Sequence, residues 1–266
     1  MIANRRSAGR QLAIGAALDR AVFVRPIAHR GWHDRAKGRL ENTAPAFRAA
    51  IDKGYGIECD LQAAEDGTPM VFHDLTLNRL VAGWGPIAAV SPRNLARLRY
   101  RGQDEKILSF AQFLDLVGGR VPLLVEVKRN GRALRPHFLE KIARLAGTYK
   151  GPLALMSFDR AIVAALGDLA PAIPRGPVIG SRQLLASLWA KRSRRRESPA
   201  ASRLFGRTPE GIGFCAVDVK LVAVARTWML RHGVDMPLFT WTVRTPRQRA
   251  RAARWADAPI FEGYEP

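Results

Sequence analysis

The sequence predicts an α/β fold: a (β/α)8 TIM barrel with an extra β-hairpin strand after the second barrel strand. Three observations carry that expectation. Short apolar runs alternate with helical stretches from about residue 26 onward, the pattern of repeated βα units and a parallel sheet. The 266 residues match the ~250 typical of one such barrel. Two of the apolar runs stand too close together for the helical crossover of about a dozen residues that parallel neighbours need.

Taken in order, the first strand is expected at 26–31, where PIAHRG runs from apolar residues into a histidine and an arginine. AFRAAIDKG then has helical spacing and stops at Gly, the residue that best accepts a left-handed helix end. The strands at 56–62 (GIECDLQ) and 69–73 (PMVFH) flank Asp66-Gly67, a two-residue hairpin signal. FAQFLDLVGG, another helix ending in Gly, leads to the strand at 122–128, PLLVEVK. PHFLEKIARLAG, the strand at 153–158, DRAIVAALGDLA and the strand at 176–180 continue the alternation. The strand at 213–219, ARTWMLRHG, the strand at 237–243, PRQRARAARWA and the strand at 259–262 complete it. Eight of these nine strands suit a closed parallel ring. The one at 69–73 is the extra.

The hairpin fixes a testable register. If Asp66-Gly67 is the whole turn, Glu65 pairs with Thr68 and Asp60 faces His73, so Glu58, Asp60 and His73 converge on one surface. Cys59, between the two carboxylates, points the other way into the core. A slip of one residue would send His73 to the opposite face.

Composition is that of an ordinary globular chain, 47% hydrophobic and 25% charged, which excludes disorder and membrane embedding as classes. No run reaches the ~18 apolar residues of a spanning helix. Residues 1–24 open with an Arg-rich stretch and a short apolar run cut off by Asp19 and Arg20, and read as a leader or amphipathic segment. Residues 25–266 read as a single domain with a basic surface insertion around 190–210. Two cysteines give no disulfide framework, so a reducing, cytoplasmic setting is expected. The net charge of +20 gathers in RSRRRESPAASRLFGR (192–207) and RTPRQRARAAR (244–254). These solvate a surface, or lend weak attraction to an anionic membrane or an anionic substrate. Neither interleaves aromatics among the arginines, so nucleic acid is not an expected partner.

The chemistry lies at strand ends, where barrel active sites form. Glu58 and Asp60, side by side inside a barrel, would repel and lose hydration unless a cation compensates. A hard divalent ion with oxygen ligands would do so. Glu126 ends another apolar strand and offers a third carboxylate, with Lys128 on the same face as a cation for an anionic substrate. His29 and His73 beside this cluster form a candidate acid/base pair. Arg30 is a planar, permanently charged partner for a phosphate. His33, His137 and His232 read as surface residues.

This constellation resembles the glycerophosphodiester phosphodiesterase family. The family's His-Arg-Gly and Glu-Asn-Thr appear as HRG at 29–31 and ENT at 41–43, its Glu-x-Asp as ECD, its Asp-Gly turn as EDG and its His-Asp as HD at 73–74. DLTLNRLVAGWGPIAAVSPRNLARL, ILSFAQFLDLV, VEVK and FTWTV are similar to later segments of the family. The likeness is dense over about 26–128 and looser in the last 30 residues. The chain departs at Leu80, where Thr is frequent, at Arg244, where Asn is usual, and at Glu262, where Thr-Asp is common; these departures bear on headgroup preference.

The resemblance implies hydrolysis of a small glycerophosphodiester to glycerol 3-phosphate and an alcohol. It implies one Mg²⁺ or Ca²⁺ on Glu58, Asp60 and Glu126, with His29 and His73 as the acid/base pair. Arg30, Lys128 and Trp241 would bind substrate. Two other readings stay open: a lysophospholipase-D-like enzyme that acts on lysophospholipids, and a non-catalytic protein that binds anionic ligands or nucleic acid.

Overall fold

A computed structural model describes residues 16–129, 131, 134–181 and 211–266. The strands in chain order are β1 (Ile27–Ala28), β2 (Gly56–Ala63), β3 (Pro69–Val71), β4 (Leu123–Val127) and β5 (Leu153–Ser157), then β6 (Arg175–Ile179), β7 (Cys215–Asp218), β8 (Leu238–Val243) and β9 (Ala258–Phe261). The α-helices described are α1 (Arg20–Phe23), α2 (Ala44–Asp52), α3 (Pro92–Leu95) and α4 (Phe110–Val117), then α5 (Pro136–Thr148), α6 (Arg160–Leu169), α7 (Val222–Arg231) and α8 (Pro246–Trp255). Parallel pairing runs β1-β9-β8-β7-β6-β5-β4-β2 and closes through β1–β2, while β3 lies antiparallel on β2. The expected barrel and its extra strand are both present. The basic insertion expected around 190–210 lies outside the described residues.

Strand alternation builds two cores. Ile57, Cys59, Leu61 and Val125 face outward and meet Phe47 of α2 and Phe113 of α4. Ile27, Leu124, Met156, Phe214 and Phe239 face inward and fill the barrel. Leu18 and Phe23, on either side of the start of α1, join this inner cluster with 4% and 3% exposure. Two side chains from the segment before residue 25 therefore take part in the barrel's interior packing.

The hairpin differs from expectation by one residue. Leu61 faces Val71, Gln62 faces Met70, and the Phe72 amide donates to the Asp60 carbonyl at 3.0 Å. Asp60 thus opposes Phe72, not His73. The reason is the turn: the Ala64 amide donates to the Thr68 carbonyl at 2.9 Å, and Gly67 adopts φ 77°. Glu65, Asp66 and Gly67 together form a three-residue loop closed by a left-handed glycine, a common alternative to the two-residue turn. His73 is nevertheless not lost, because the ladder stops at Val71. Beyond it, the Gln62 side chain donates from Nε2 to the His73 carbonyl at 2.8 Å and holds that residue at the barrel mouth.

Residues between His73 and α4 fold over β3. Met70, Phe72, Leu77, Val81, Leu95 and Tyr100 make a separate small core there. Leu80, 7% exposed, is part of it. No helix among the described residues is long and apolar enough to cross a membrane.

Candidate active site

At the C-terminal ends of β2 and β4, parallel register puts Asp60 directly beside Glu126. Glu58 stands two residues earlier on the same inward face as Asp60. All three are buried, with exposures of 1%, 1% and 6%, and one oxygen of each lies within 4.8 Å of the others. Lys128 enters between two of them, with Nζ 2.9 Å from Asp60 Oδ1 and 2.5 Å from Glu126 Oε1. Glu58 Oε1 is buried without a hydrogen-bond partner.

Burial pushes the Glu58 carboxyl well up, and the neighbouring Asp60 and Glu126 charges add to that. Burial likewise raises Glu126 to about 7, against the pull of Lys128. Asp60 goes the other way: Lys128 and Arg30 outweigh its burial and hold it well below the ordinary carboxylate range. The cluster so carries more negative groups than its own lysine and arginine satisfy. An all-oxygen set with an orphaned buried oxygen is the donor chemistry that suits a hard divalent cation.

The turn after β1 brings two more expected residues to this cluster. Arg30 takes a left-handed φ of 57°. This is a conformation that costs a non-glycine residue on the order of 1 kcal/mol or more. It aims the Arg30 amide at Glu58 Oε2 (3.0 Å) and the guanidinium at Asp60 Oδ2 (3.3 Å) and Glu41 Oε1 (2.7 Å). Gly31, at φ 79°, is packed so closely on α2 that a Cβ would stand 2.9 Å from the Ala46 backbone carbon and from Phe47 Cδ1. Only glycine fits there, which explains its place beside His29 and Arg30.

His29 continues the β1–β9 pairing, its amide donating to the Phe261 carbonyl at 3.0 Å. Its Nδ1 lies 2.8 Å from Glu262 Oε2, and its Nε2 is 3.9 Å from Glu58 Oε2. Burial lowers the His29 pKa, opposed in part by Glu262. Glu262 is held far below its usual pKa, since bonds from His29, His33 and Arg244 outweigh its burial. It therefore accepts, and His29 carries its proton on Nδ1 with Nε2 turned to the carboxylates. His73 is arranged alike, with Nδ1 2.8 Å from Asp74 Oδ1. Burial lowers its pKa too, opposed by Asp60.

All of His29, Arg30, Glu58, Asp60, Glu126 and Lys128 thus meet at one end of the barrel. His73 lines a 410 Å³ recess there with Gln62, Leu75, Lys128 and Arg129. Trp241, on β8, packs edge-on against Phe158 with 5.2 Å between ring centroids, and Phe158 in turn lies 5.7 Å from Lys128 Nζ. Trp241 Nε1 is buried without a hydrogen-bond partner.

Several residues of the site escaped sequence reasoning. Glu41 joins Arg30 to Arg79, and Arg79 grips Asp74 through Nε (2.6 Å) and Nη2 (2.9 Å), which ties the His73 rim to the Arg30 turn. Asn42 donates to Asp60 Oδ2 at 2.9 Å. His33 is half-buried, with Nε2 3.8 Å from Glu262, and so belongs to the rim of the site rather than to the open surface. Arg244 and Glu262, the two late departures, contact each other at 3.1 and 3.0 Å. Opposite charges at the ends of adjacent strands, both off the usual pattern, are the signal that could have linked them.

The glycerophosphoryl diester phosphodiesterase family profile matches residues 29–261. A glycerophosphodiester phosphodiesterase of Caldanaerobacter subterraneus is 29% identical over 162 residues, 56% of this chain and 64% of that protein. Human glycerophosphodiester phosphodiesterase 1 is 37% identical over 131 residues, 44% of this chain and 39% of that one. The chain thus matches less than two thirds of the length of these relatives. Among solved structures, an Oleispira antarctica phosphodiesterase in complex with the product sn-glycerol-3-phosphate superposes with a TM-score of 0.71 at 20% identity, covering 89% of this chain and 92% of that one. A Thermotoga maritima glycerophosphodiester phosphodiesterase gives 0.64 at 21% identity, covering 90% and 94%. At such identities the superpositions speak to the barrel alone.

Proposed function

The chain belongs to the glycerophosphoryl diester phosphodiesterase family, and from that premise we propose that it hydrolyses glycerophosphodiesters to glycerol 3-phosphate and an alcohol. The observation that carries the proposal is the convergence of three buried carboxylates with two imidazoles, each backed by its own carboxylate. The product named for the Oleispira antarctica structure is the one this reaction would release.

Glu58, Asp60 and Glu126 would hold one Mg²⁺ or Ca²⁺. Such an ion, when bound, supplies positive charge against the phosphoryl oxygens. Lys128 and Arg30 add fixed positive charge on the same face, where non-bridging oxygens become more negative as the diester is attacked. Trp241 offers its unpartnered N–H to an oxygen of the substrate. His29, neutral and with Nε2 free, takes the proton of the attacking hydroxyl, from water or from the substrate's own glycerol. His73 gives a proton to the departing alcohol, and Asp74 beside it favours the imidazolium that this requires. The two unpaired buried cysteines, Cys59 and Cys215, accord with a reducing, cytoplasmic setting.

Choline release from glycerophosphocholine and ethanolamine release from glycerophosphoethanolamine, measured with and without a chelator, test the reading. Release that needs the divalent ion is expected from at least one of them. No release from either substrate under any added Mg²⁺ or Ca²⁺ would overturn it.

A further inference from the structure

The loop that follows His73 carries a surface that the proposed hydrolysis leaves unused. Trp84 is 77% exposed, the most exposed large hydrophobic side chain among the described residues, and Leu75 in the same loop is 57% exposed. The loop doubles back on itself. The Leu77 amide donates to the Gly85 carbonyl at 3.0 Å, and the Ile87 amide to the Leu75 carbonyl at 3.1 Å. Trp84 so stands at the far end of a paired loop whose near end, Leu75, lines the recess beside His73 and Lys128.

Charge accompanies the apolar groups. From Leu75 to Arg101 the chain has five arginines and no acidic residue. Arg79 is committed to Glu41 and Asp74, and Arg99 to Asp104. Arg93, Arg97 and Arg101 are exposed, and the Arg101 guanidinium lies 5.9 Å from the Trp84 ring centroid. The small core beneath, from Met70 to Tyr100, holds the loop against β3.

An exposed tryptophan has little reason to face water alone. Its ring belongs at the headgroup level of a bilayer, apolar in body with a polar N–H. An arginine beside such a ring, with further exposed arginines in the same segment, suits an anionic leaflet, where each basic group adds to the attraction. We propose that this loop docks the mouth of the barrel on an anionic phospholipid surface, with Trp84 and Leu75 at the headgroup boundary and Arg93, Arg97 and Arg101 against lipid phosphates. Its consequence for substrate, that a single-chain lysophospholipid in that surface presents its diester to the recess, rests on the hydrolytic reading. The docking does not.

Flotation of the full chain with vesicles tests the docking without any turnover. Partition onto phosphatidylglycerol-containing vesicles is expected, with little onto pure phosphatidylcholine. It should fade as salt shortens the screening length from ~10 Å at 0.1 M to ~3 Å at 1 M. Arg97→Ser and Arg101→Ser should each weaken partition about fivefold. Trp84→Ser should weaken it further, while Trp84→Phe retains most of it. Melting temperature should not move in these surface variants, and hydrolysis of soluble glycerophosphocholine by Trp84→Ser should match the unaltered chain. Two results would overturn the proposal: no partition onto anionic vesicles, or partition that survives Trp84→Ser and the arginine changes yet disappears when Arg194, Arg195 and Arg196 become serine.

Discussion

Glu262 accepts a hydrogen bond from Nδ1 of His29 at 2.8 Å, and that single contact decides which nitrogen of the imidazole faces the carboxylate cluster. Because the contact also raises the His29 pKa against the stronger effect of burial, Glu262→Gln has a signed consequence. In the unaltered chain His29 becomes neutral, and able to accept a proton, below its ordinary 6.5. The acid limb of kcat/KM should therefore lie below that pH. With the carboxylate removed, the limb should move further down, and kcat should fall by up to ~10⁴ as the tautomer is no longer held. A pH profile whose acid limb stays in place or rises would contradict this role for Glu262.

Chelation should abolish turnover, and Mg²⁺ or Ca²⁺ should restore it. Glu58 and Glu126 both hold protons more tightly than isolated carboxyls, Glu126 titrating at about 7. Cation binding must then release protons, so affinity should increase from pH 6 to pH 8. Calorimetry in buffers of different ionisation heat would read that release directly. Glu58→Gln should weaken the cation yet leave the cation-free melting temperature unchanged or higher, since the neutral amide is spared the ionisation that burial already opposes in Glu58, and the unpartnered Oε1 carries a burden of about 1–3 kcal/mol in either side chain. Full activity in excess EDTA would end this account.

The two imidazoles can be told apart by leaving group. His29→Ala and His73→Ala should each slow catalysis by ~10²–10⁴, with little change in melting temperature because both lie at the rim. A substrate with a p-nitrophenol leaving group needs no acid, so it should rescue His73→Ala more than His29→Ala. Equal damage on both substrate types would reverse the division of roles while leaving the site itself intact.

Much of the barrel was legible in the sequence because alternation at β2 and continuous apolar runs at β4 and β5 are dictated by which faces are buried. The register of the hairpin was not. Asp-Gly is compatible with a two-residue turn and with a three-residue loop, and only the Ala64–Thr68 hydrogen bond selects the latter. The carboxylate cluster could be anticipated from strand periodicity, since Glu58 and Asp60 share a face whatever their partners. The network around it could not, because Glu41, Asp74 and Arg79 acquire their function only when two loops meet above the strands. Arg244 and Glu262 looked like separate departures 18 residues apart. Their pairing depends on β8 and β9 being neighbours, and through Glu262 it reaches His29.

Leu18 and Phe23 turn the barrel into a vessel with one sealed end. Dry hydrocarbon stoppers the floor, and the charged chemistry collects at the open rim, so the two ends answer to different forces. Trimming the chain to begin at residue 25 would remove both stoppers and leave Ile27, Phe214 and Phe239 over a void. Phe23→Ala alone should cost about 3–5 kcal/mol, read as a lower denaturation midpoint. KM for a glycerophosphodiester should stay put, because nothing at the rim moves. A Phe23→Ala protein that melts like the original, or that binds substrate differently, would show that floor and rim are not independent.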